Sequence, residues 1–168
     1  KEYTGLELSK HASDYSKNNS NLNIINQSIK EYSKNNKKYD IIIMTDVIEH
    51  SDNPFELLSL IEKNLNKNGK LILSTFNFDS LFSKIMGKNY PWIIPMHKYY
   101  FSNTTLKNAL TESKLELFDI QNDTRIISLE YLLQKFNILA PSFNFIFIFF
   151  LKFNFIKKIQ VRINLFDL

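Results

Sequence analysis

Short runs rich in apolar residues alternate with helical patterns along most of the chain. Each apolar run is bounded by turn-forming residues such as Asn and Gly, which is typical of β-strands. The clearest run is Tyr39–Thr45, whose unbroken Ile-Ile-Ile-Met core is typical of a strand covered on both faces. We predict strands at residues 3–8, 22–26, 39–45, 70–75 and 115–120.

The strongest helix start lies just after the buried strand. Asn53 can cap the first turn, Pro54 fits the first helical position, and Glu56 stands where a capping box places a carboxylate. Apolar residues at helical spacing follow, and Asn68-Gly69 is predicted to end this helix. The other predicted helices begin at Ser9 and Ser102, with a weak helix or loop at 29–37.

This alternation of strands and helices predicts an α/β fold. Successive parallel strands need crossover connections, which are usually helical. We therefore expect a doubly wound, mostly parallel sheet that occupies residues 1–125.

The last part of the chain has a different pattern. Residues 126–136 fit an amphipathic helix, residues 143–151 are almost entirely apolar, and residues 152–164 mix Phe and Ile with basic residues. The apolar run is shorter than the roughly 20 residues that a membrane-spanning helix needs. We expect 126–168 to be a helical, Phe-rich extension. It packs on the domain, forms a homodimer surface, or makes peripheral membrane contact through 143–163.

Composition excludes several classes of protein. The 168 residues are 44% hydrophobic and 23% charged, which excludes a disordered tail. Cysteine is absent, so there is no disulfide framework and no thiolate metal site. The net charge is +4, but the lysines are scattered and the only arginines are Arg125 and Arg162, so we expect no nucleic acid partner. No secretory signal opens the chain, and we expect a cytoplasmic protein.

Polar residues stand at the ends of four predicted strands, where open α/β sheets bind ligands. Glu7 is the most specific candidate for binding a sugar, because a carboxylate can accept two hydrogen bonds from a cis-diol. The alternative is that Glu7 is a solvent-exposed residue at a strand end. Asp46, Glu49 and His50 follow the buried strand and can supply a base, a metal ligand or a capping group. The spacing of the three histidines does not indicate a zinc site, and we predict no metal ligands.

Four stretches of the chain carry a recognisable pattern. They are GLELS at 5–9, YDIIIMTDVIEH at 39–50, GKLILST at 69–75 followed by Asn77, and PMHKYYFS at 95–102 with Trp92 before it and Thr105-Leu106 after it. Together they resemble class I S-adenosylmethionine-dependent methyltransferases, occur in the order expected for that family and span about residues 3–120. The branch resembled includes ubiquinone-biosynthesis O-methyltransferases and polysaccharide-cluster methyltransferases.

The resemblance implies a Rossmann-like fold, a cofactor and a set of roles. Glu7 would bind the ribose hydroxyls of S-adenosylmethionine, and His97 would be the general base, since imidazole accepts a proton near neutral pH. His97 can also be a packing or substrate-positioning residue. The remaining implied residues are Leu8, Ser28, Ile29, Asp46, Val47 and His50 for the cofactor, and Asn77, Trp92 and Tyr99 for the acceptor.

One landmark of the family is missing. Its acidic-Gly-x-Gly loop, and the strand before it, would lie upstream of Lys1, so we expect a piece of a longer protein with a gap in its sheet. Phe76 replaces the family's Pro, and Lys114 replaces a Gly.

The function implied is methyl transfer to a hydroxyl of a small-molecule, quinone-like, or glycan- or lipid-linked acceptor. The alternative is a catalytically degenerate module for binding or membrane docking. A dehydrogenase is disfavoured, because no GxGxxG motif is present.

Overall fold

The computed structural model describes residues 2–90, 92–121, 123–130 and 159–167. Predictions for 131–158, including the apolar run 143–151, lie outside the described residues. The strands are β1 Gly5–Leu6, β2 Ile24–Ile25, β3 Tyr39–Thr45, β4 Leu65–Ser74, β5 Asp123–Ser128 and β6 Gln160–Asp167. The α-helices are α1 Lys10–Asn19, α2 Ile29–Tyr32, α3 Pro54–Asn64, α4 Leu81–Met86 and α5 Asn103–Glu112. Short 3₁₀ turns cover Ser33–Asn35, Ile48–His50 and Gly87–Asn89.

The first four strands form two parallel pairs. β1 pairs with β2, and β3 pairs with β4. A helix connects the strands of each pair, α1 in the first and α3 in the second. The predicted parallel strands with helical crossovers are therefore confirmed.

The predicted helix starts are confirmed by their caps. The Asn53 side chain accepts hydrogen bonds from the backbone N–H groups of Phe55 and Glu56 (both 3.1 Å) at the start of α3. Ser9 and Ser102 cap α1 and α5 in the same way. Each cap satisfies backbone donors that have no partner inside the helix.

The core lies on one face of the β3–β4 pair. Ile42, Met44, Leu71 and Leu73 point to this face and pack against α3 and α5. The other face, which we predicted to be covered, is exposed in the described part of the chain: Ile41, Ile43 and Ile72 are open to solvent. The helical residues of the core are Leu57, Leu58, Ile61, Leu106, Ala109 and Leu110.

The predicted end of α3 at Asn68-Gly69 is wrong. The helix ends at Asn64, and Leu65 already pairs with Tyr39. Asn68, with φ +69°, and Gly69 lie instead in an irregularity of β4, after which regular pairing begins at Ile41 and Lys70.

The prediction of a strand at 115–120 is also wrong. The backbone N–H of Leu115 donates to the Leu110 carbonyl (2.9 Å) and closes α5, with Lys114 at φ +61°. Leu115 and Leu117 then pack against the core without joining a sheet.

The predicted helix from residue 126 is wrong at its start. Residues 126–128 belong to β5, which pairs antiparallel with β6. Both described ends of the predicted helical extension therefore contain strand, and the backbone turns helical only at Leu129 and Glu130. A short apolar run such as Ile126-Ile127 is compatible with a helix or a strand. Pairing with β6, which is distant in sequence, makes it a strand. No helix in the described ranges has the length and apolar character that crossing a membrane demands.

Candidate active site

The turn after β3 and the loop before α5 are tied together by backbone hydrogen bonds. The N–H groups of Lys98 and Tyr99 both donate to the Glu49 carbonyl oxygen, at 2.8 and 3.2 Å. Nδ1 of His50 lies 2.9 Å from the Met96 carbonyl oxygen. Ile48, fully buried, anchors the turn in the core. Residues distant in sequence are thus held in a fixed relation.

This arrangement brings two of the three histidines together. The ring centroids of His50 and His97 are 4.7 Å apart, edge to face. Glu49 lies beside them with only 1% of its surface exposed, and its Oε2 accepts a hydrogen bond from the Thr75 hydroxyl (3.1 Å). The spacing of the histidines along the chain did not indicate this cluster.

The His97 ring is fixed on two sides. It stacks on Phe76, with centroids 4.9 Å apart and planes 18° apart, and its Nδ1 lies 2.7 Å from the Trp92 carbonyl oxygen. A carbonyl can only accept a hydrogen bond, so Nδ1 carries the proton of the neutral ring. Nε2 then holds the free lone pair, as a proton acceptor requires.

Aromatic rings line the neighbourhood of His97. Phe76 is buried and contacts Tyr90 and Tyr100 edge-on, at 6.3 and 5.7 Å between centroids. Tyr90 stacks on Trp92 at 5.9 Å. In this aromatic wall Phe76 and Tyr90 are buried, whereas Trp92 and Tyr100 are partly exposed and can contact a ring or another planar group.

The Asp52 carboxylate pairs with the Lys98 ammonium next to His97. The hydrogen bond from Lys98, and then its positive charge, lower the pKa of Asp52 below its usual value. The Tyr99 hydroxyl donates to the Asp52 carbonyl oxygen (3.1 Å). These contacts hold the loop that carries His97 against the start of the α3 segment.

Glu7 lies at the end of β1, partly exposed. Its Oε1 accepts a hydrogen bond from the Ser9 N–H (2.7 Å). The Asn26 side-chain amide, at the end of β2, donates to the carbonyl oxygens of Glu7 and Leu8 at 2.8 and 2.9 Å, which joins the two strand ends. Leu8 itself is 75% exposed. An acidic and an apolar side chain thus stand together at this edge.

The other predicted cofactor residues have clear local roles. Ser28 caps α2 in a capping box with Glu31, and Ile29 packs against the core. Asp46 adopts a left-handed backbone, φ +51°, and its N–H donates to the Ser74 carbonyl (3.0 Å). Its neighbour Val47 is 44% exposed. The left-handed conformation costs energy for a residue other than glycine. Residues held in it are concentrated at functional sites.

The predicted acceptor residues fall into two places. Trp92 lies in the aromatic wall, whereas Tyr99 stacks on Phe101 (6.3 Å) and packs against the core. The backbone of Asn77 bridges to Phe101 beyond the end of β4. The roles assigned to these residues, and to the cofactor residues, stay predictions.

Thr75, Phe76 and Tyr100 are not among the predicted site residues, although Thr75 and Phe76 stand at the end of the fourth predicted strand. Phe76 also departs from the family pattern, and it is the ring on which His97 stacks. Its place directly after a strand end was the available signal. Tyr100, not Tyr99, contacts the His97 ring, at 6.5 Å between centroids.

Comparisons with known proteins agree on one family. The family model described as "Methyltransferase domain" matches residues 1–119. No curated protein sequence matches the chain. Among solved structures, an S-adenosylmethionine-dependent methyltransferase from Archaeoglobus fulgidus is similar at 26% identity and a TM-score of 0.55, covering 73% of this chain and 52% of that one.

Two further solved structures show the same fold at 18% identity. An S-adenosylmethionine-dependent methyltransferase from Thermotoga maritima has a TM-score of 0.57 over 74% of this chain and 58% of its own. Magnesium protoporphyrin IX methyltransferase from Synechocystis, solved with bound S-adenosylhomocysteine, has a TM-score of 0.51 over 74% of this chain and 57% of its own. This chain therefore spans little more than half the length of these structures. The chain has a Rossmann-like α/β fold and belongs to the methyltransferase-domain family.

Proposed function

We propose that this chain forms part of an S-adenosylmethionine-dependent methyltransferase that methylates a hydroxyl group. The observation that carries the proposal is the position and hydrogen bonding of the His97 ring. Its ring is fixed by Phe76 and by the Trp92 carbonyl so that Nε2 is free to accept a proton. The family match over residues 1–119 supplies the reaction class.

The residues at the end of β1 suit the adenosine part of the cofactor. Each carboxylate oxygen accepts two hydrogen bonds, so Glu7 can hold a ribose diol while it retains its bond to Ser9. The exposed Leu8 side chain gives an apolar surface for adenine. Ser28 and Ile29 would border the adenine ring, and Asp46, Val47 and His50 would line the methionine end.

The cofactor supplies an electrophilic methyl group, so this chain has two tasks. It must hold the acceptor oxygen in line with the methyl group, and it must remove the hydroxyl proton. His97 Nε2 would take that proton. Base catalysis of this kind contributes roughly 10²–10⁴-fold to the rate.

Asn77, Trp92 and Tyr99 would face the acceptor. The aromatic wall around His97 favours an acceptor with a planar or apolar part, such as a quinone-like ring or a lipid-linked group. The choice of oxygen over nitrogen or carbon as the methylated atom follows the branch that the sequence resembles.

A binding module is the second candidate function. The exposed apolar face formed by Ile41, Ile43 and Ile72 supports it, because such a face is a surface on which a partner can dock. A homodimer, or membrane contact through 143–163, belongs to this alternative. Vesicle flotation without methyl transfer would favour it.

The test is a transfer assay with methyl-tritiated S-adenosylmethionine. The natural full-length protein is incubated with metabolite and lipid extracts of the cells that produce it, and label in the extracted small molecules is counted. We expect label above the enzyme-free blank with the wild type, and a loss of at least 100-fold in initial rate with His97→Ala. No incorporation with the wild type would overturn the proposal.

A further inference from the structure

Glu49, His50 and His97 form a cluster with the composition of a metal site. One potential ligand atom from each side chain lies within 4.8 Å of the others. We propose that this cluster binds a divalent transition-metal ion of the zinc class. The proposal concerns ion binding, and it competes with the general-base role proposed for His97 because both use the same nitrogen.

Both histidines are already in the form that a metal ligand needs. Nδ1 of His50 faces the Met96 carbonyl at 2.9 Å, and Nδ1 of His97 faces the Trp92 carbonyl at 2.7 Å. These carbonyls fix the proton on Nδ1 and leave Nε2 unprotonated in each neutral ring. Histidine ligands of metals usually donate their other N–H to a carbonyl or carboxylate in this way.

Glu49 supplies the third ligand and the negative charge. Only 1% of its surface is exposed to solvent. The Thr75 hydroxyl donates a hydrogen bond to its Oε2 at 3.1 Å. A carboxylate removed from water is costly unless a cation or donors compensate it. A bound ion would provide that charge, and the Thr75 hydroxyl would orient the carboxylate.

The frame that carries the three side chains is rigid. The backbone bonds of Lys98 and Tyr99 to the Glu49 carbonyl join the two segments, and Phe76 stacks under the His97 ring. Ligand atoms around a tetrahedral zinc ion lie about 3.3 Å apart, given bond lengths of about 2.0–2.1 Å. The ligand atoms of the cluster lie within 4.8 Å of one another, so they would have to approach by about 1.5 Å at most to reach that spacing.

The ligand set selects the class of metal. Two imidazoles and one carboxylate suit Zn²⁺, Co²⁺ or Fe²⁺, whereas Mg²⁺ and Ca²⁺ prefer oxygen ligands alone. Three protein ligands leave a fourth position open, as in metal sites that bind a water molecule or a substrate oxygen. Because the ion takes the lone pair of His97 Nε2, an ion-loaded site cannot also use that nitrogen as a base.

The experiment measures binding of Co²⁺ and Zn²⁺ to the full chain after removal of metals with a chelator. Visible absorption follows Co²⁺, and calorimetry gives the stoichiometry and affinity for Zn²⁺. We expect one ion per chain and a loss of at least 100-fold in affinity for His50→Ala and for His97→Ala. Glu49→Gln should weaken binding at least tenfold.

The matched control is His11→Ala, which removes the third histidine, exposed on α1. It should keep full affinity. Thr75→Val keeps all three ligands and should weaken binding about 10–100-fold, so it tests the site if a histidine variant fails to fold. Absence of stoichiometric binding by the wild type would overturn the proposal. So would binding that survives in His50→Ala and His97→Ala but is lost in His11→Ala.

Discussion

His97 owes its chemical form to two neighbours that the sequence does not place beside it. The Trp92 carbonyl fixes the proton on Nδ1, and Phe76 fixes the plane of the ring. A histidine that only packed against Phe76 would not need its free nitrogen. The role of His97 can therefore be separated from packing by kinetics.

We expect His97→Ala to lower kcat of methyl transfer by about 100-fold or more, since it removes the proton acceptor. The affinity for S-adenosylmethionine should stay within about twofold. Steady-state kinetics and calorimetry on the natural full-length protein measure the two quantities. The control is His11→Ala, at an exposed position of α1, which should change neither. Equal losses of kcat and of cofactor affinity would show that His97 is structural.

At the residue scale, local sequence predicted only part of the site. Glu49 and His50 are adjacent in the chain, so their proximity was certain, but the approach of His97 depends on the fold. Glu49 is buried because the turn packs against the rest of the fold, and the amino-acid sequence around Glu49 does not predict this burial. Tyr99 and Tyr100 are neighbours in an extended segment, so they point to opposite sides and the sequence cannot say which one meets His97.

At the scale of single elements, the helix starts depend on side chains that cap them. The Asn53 side chain satisfies two backbone N–H groups of α3, and this helix carries Leu57, Leu58 and Ile61 into the core. The cap therefore links a surface residue to the packing of the β3–β4 pair.

We expect Asn53→Ala to lower the free energy of unfolding by about 1 kcal/mol, the usual value of a helix cap. In a chain of this size, that corresponds to a Tm lower by about 2–4 °C. Thermal denaturation followed by circular dichroism measures it. Asn108→Ala, at an exposed position inside α5, should leave Tm unchanged or raise it slightly, because Ala favours helix. If Asn53→Ala and Asn108→Ala have the same Tm, the Asn53 cap does not stabilise the protein.

The irregularity in β4 has a steric requirement at Gly69. A Cβ at this position would lie 2.9 Å from the Tyr39 carbonyl oxygen and 3.0 Å from that of Asn66. Both are backbone atoms, so relief requires movement of β3 against β4.

We expect Gly69→Ala to destabilise the chain by about 1–3 kcal/mol, as overpacking does. Chemical denaturation measures this loss, and Lys67→Ala, exposed in the same irregularity, should change stability by less than about 0.5 kcal/mol. If Gly69→Ala is as stable as Lys67→Ala, the close approach of the two strands is wrong.

Elements with local signals were predictable, and elements that depend on remote partners were not. Caps and helical spacing located α1, α3 and α5, and the apolar run at 39–45 located β3. The strand at 123–128 pairs with 160–167, and nothing near residue 126 reveals that partner. Residues 115–120 have a strand-like composition, but Leu115 and Leu117 pack against the core and pair with no strand in the described part of the chain.

At the scale of the whole molecule, the described strands form separate pairs and not one continuous sheet. The β1–β2 and β3–β4 pairs are separate two-stranded sheets, and one face of the second pair is exposed. The matched part of this chain covers 52% and 58% of two solved methyltransferases that it resembles. The family match and the similarity of fold hold for this chain. Binding of the cofactor is to be measured on the natural full-length protein.

Calorimetric binding of S-adenosylhomocysteine to the natural full-length protein tests the central claim most directly. We expect binding by the wild type and at least a tenfold loss of affinity in Glu7→Ala, because charge-assisted hydrogen bonds contribute about 1.5–3 kcal/mol each and 1.4 kcal/mol is a factor of ten. Glu112→Ala, exposed on α5, should bind like the wild type. An unchanged affinity in Glu7→Ala would contradict the ribose assignment, and no binding by the wild type would contradict the proposed function itself.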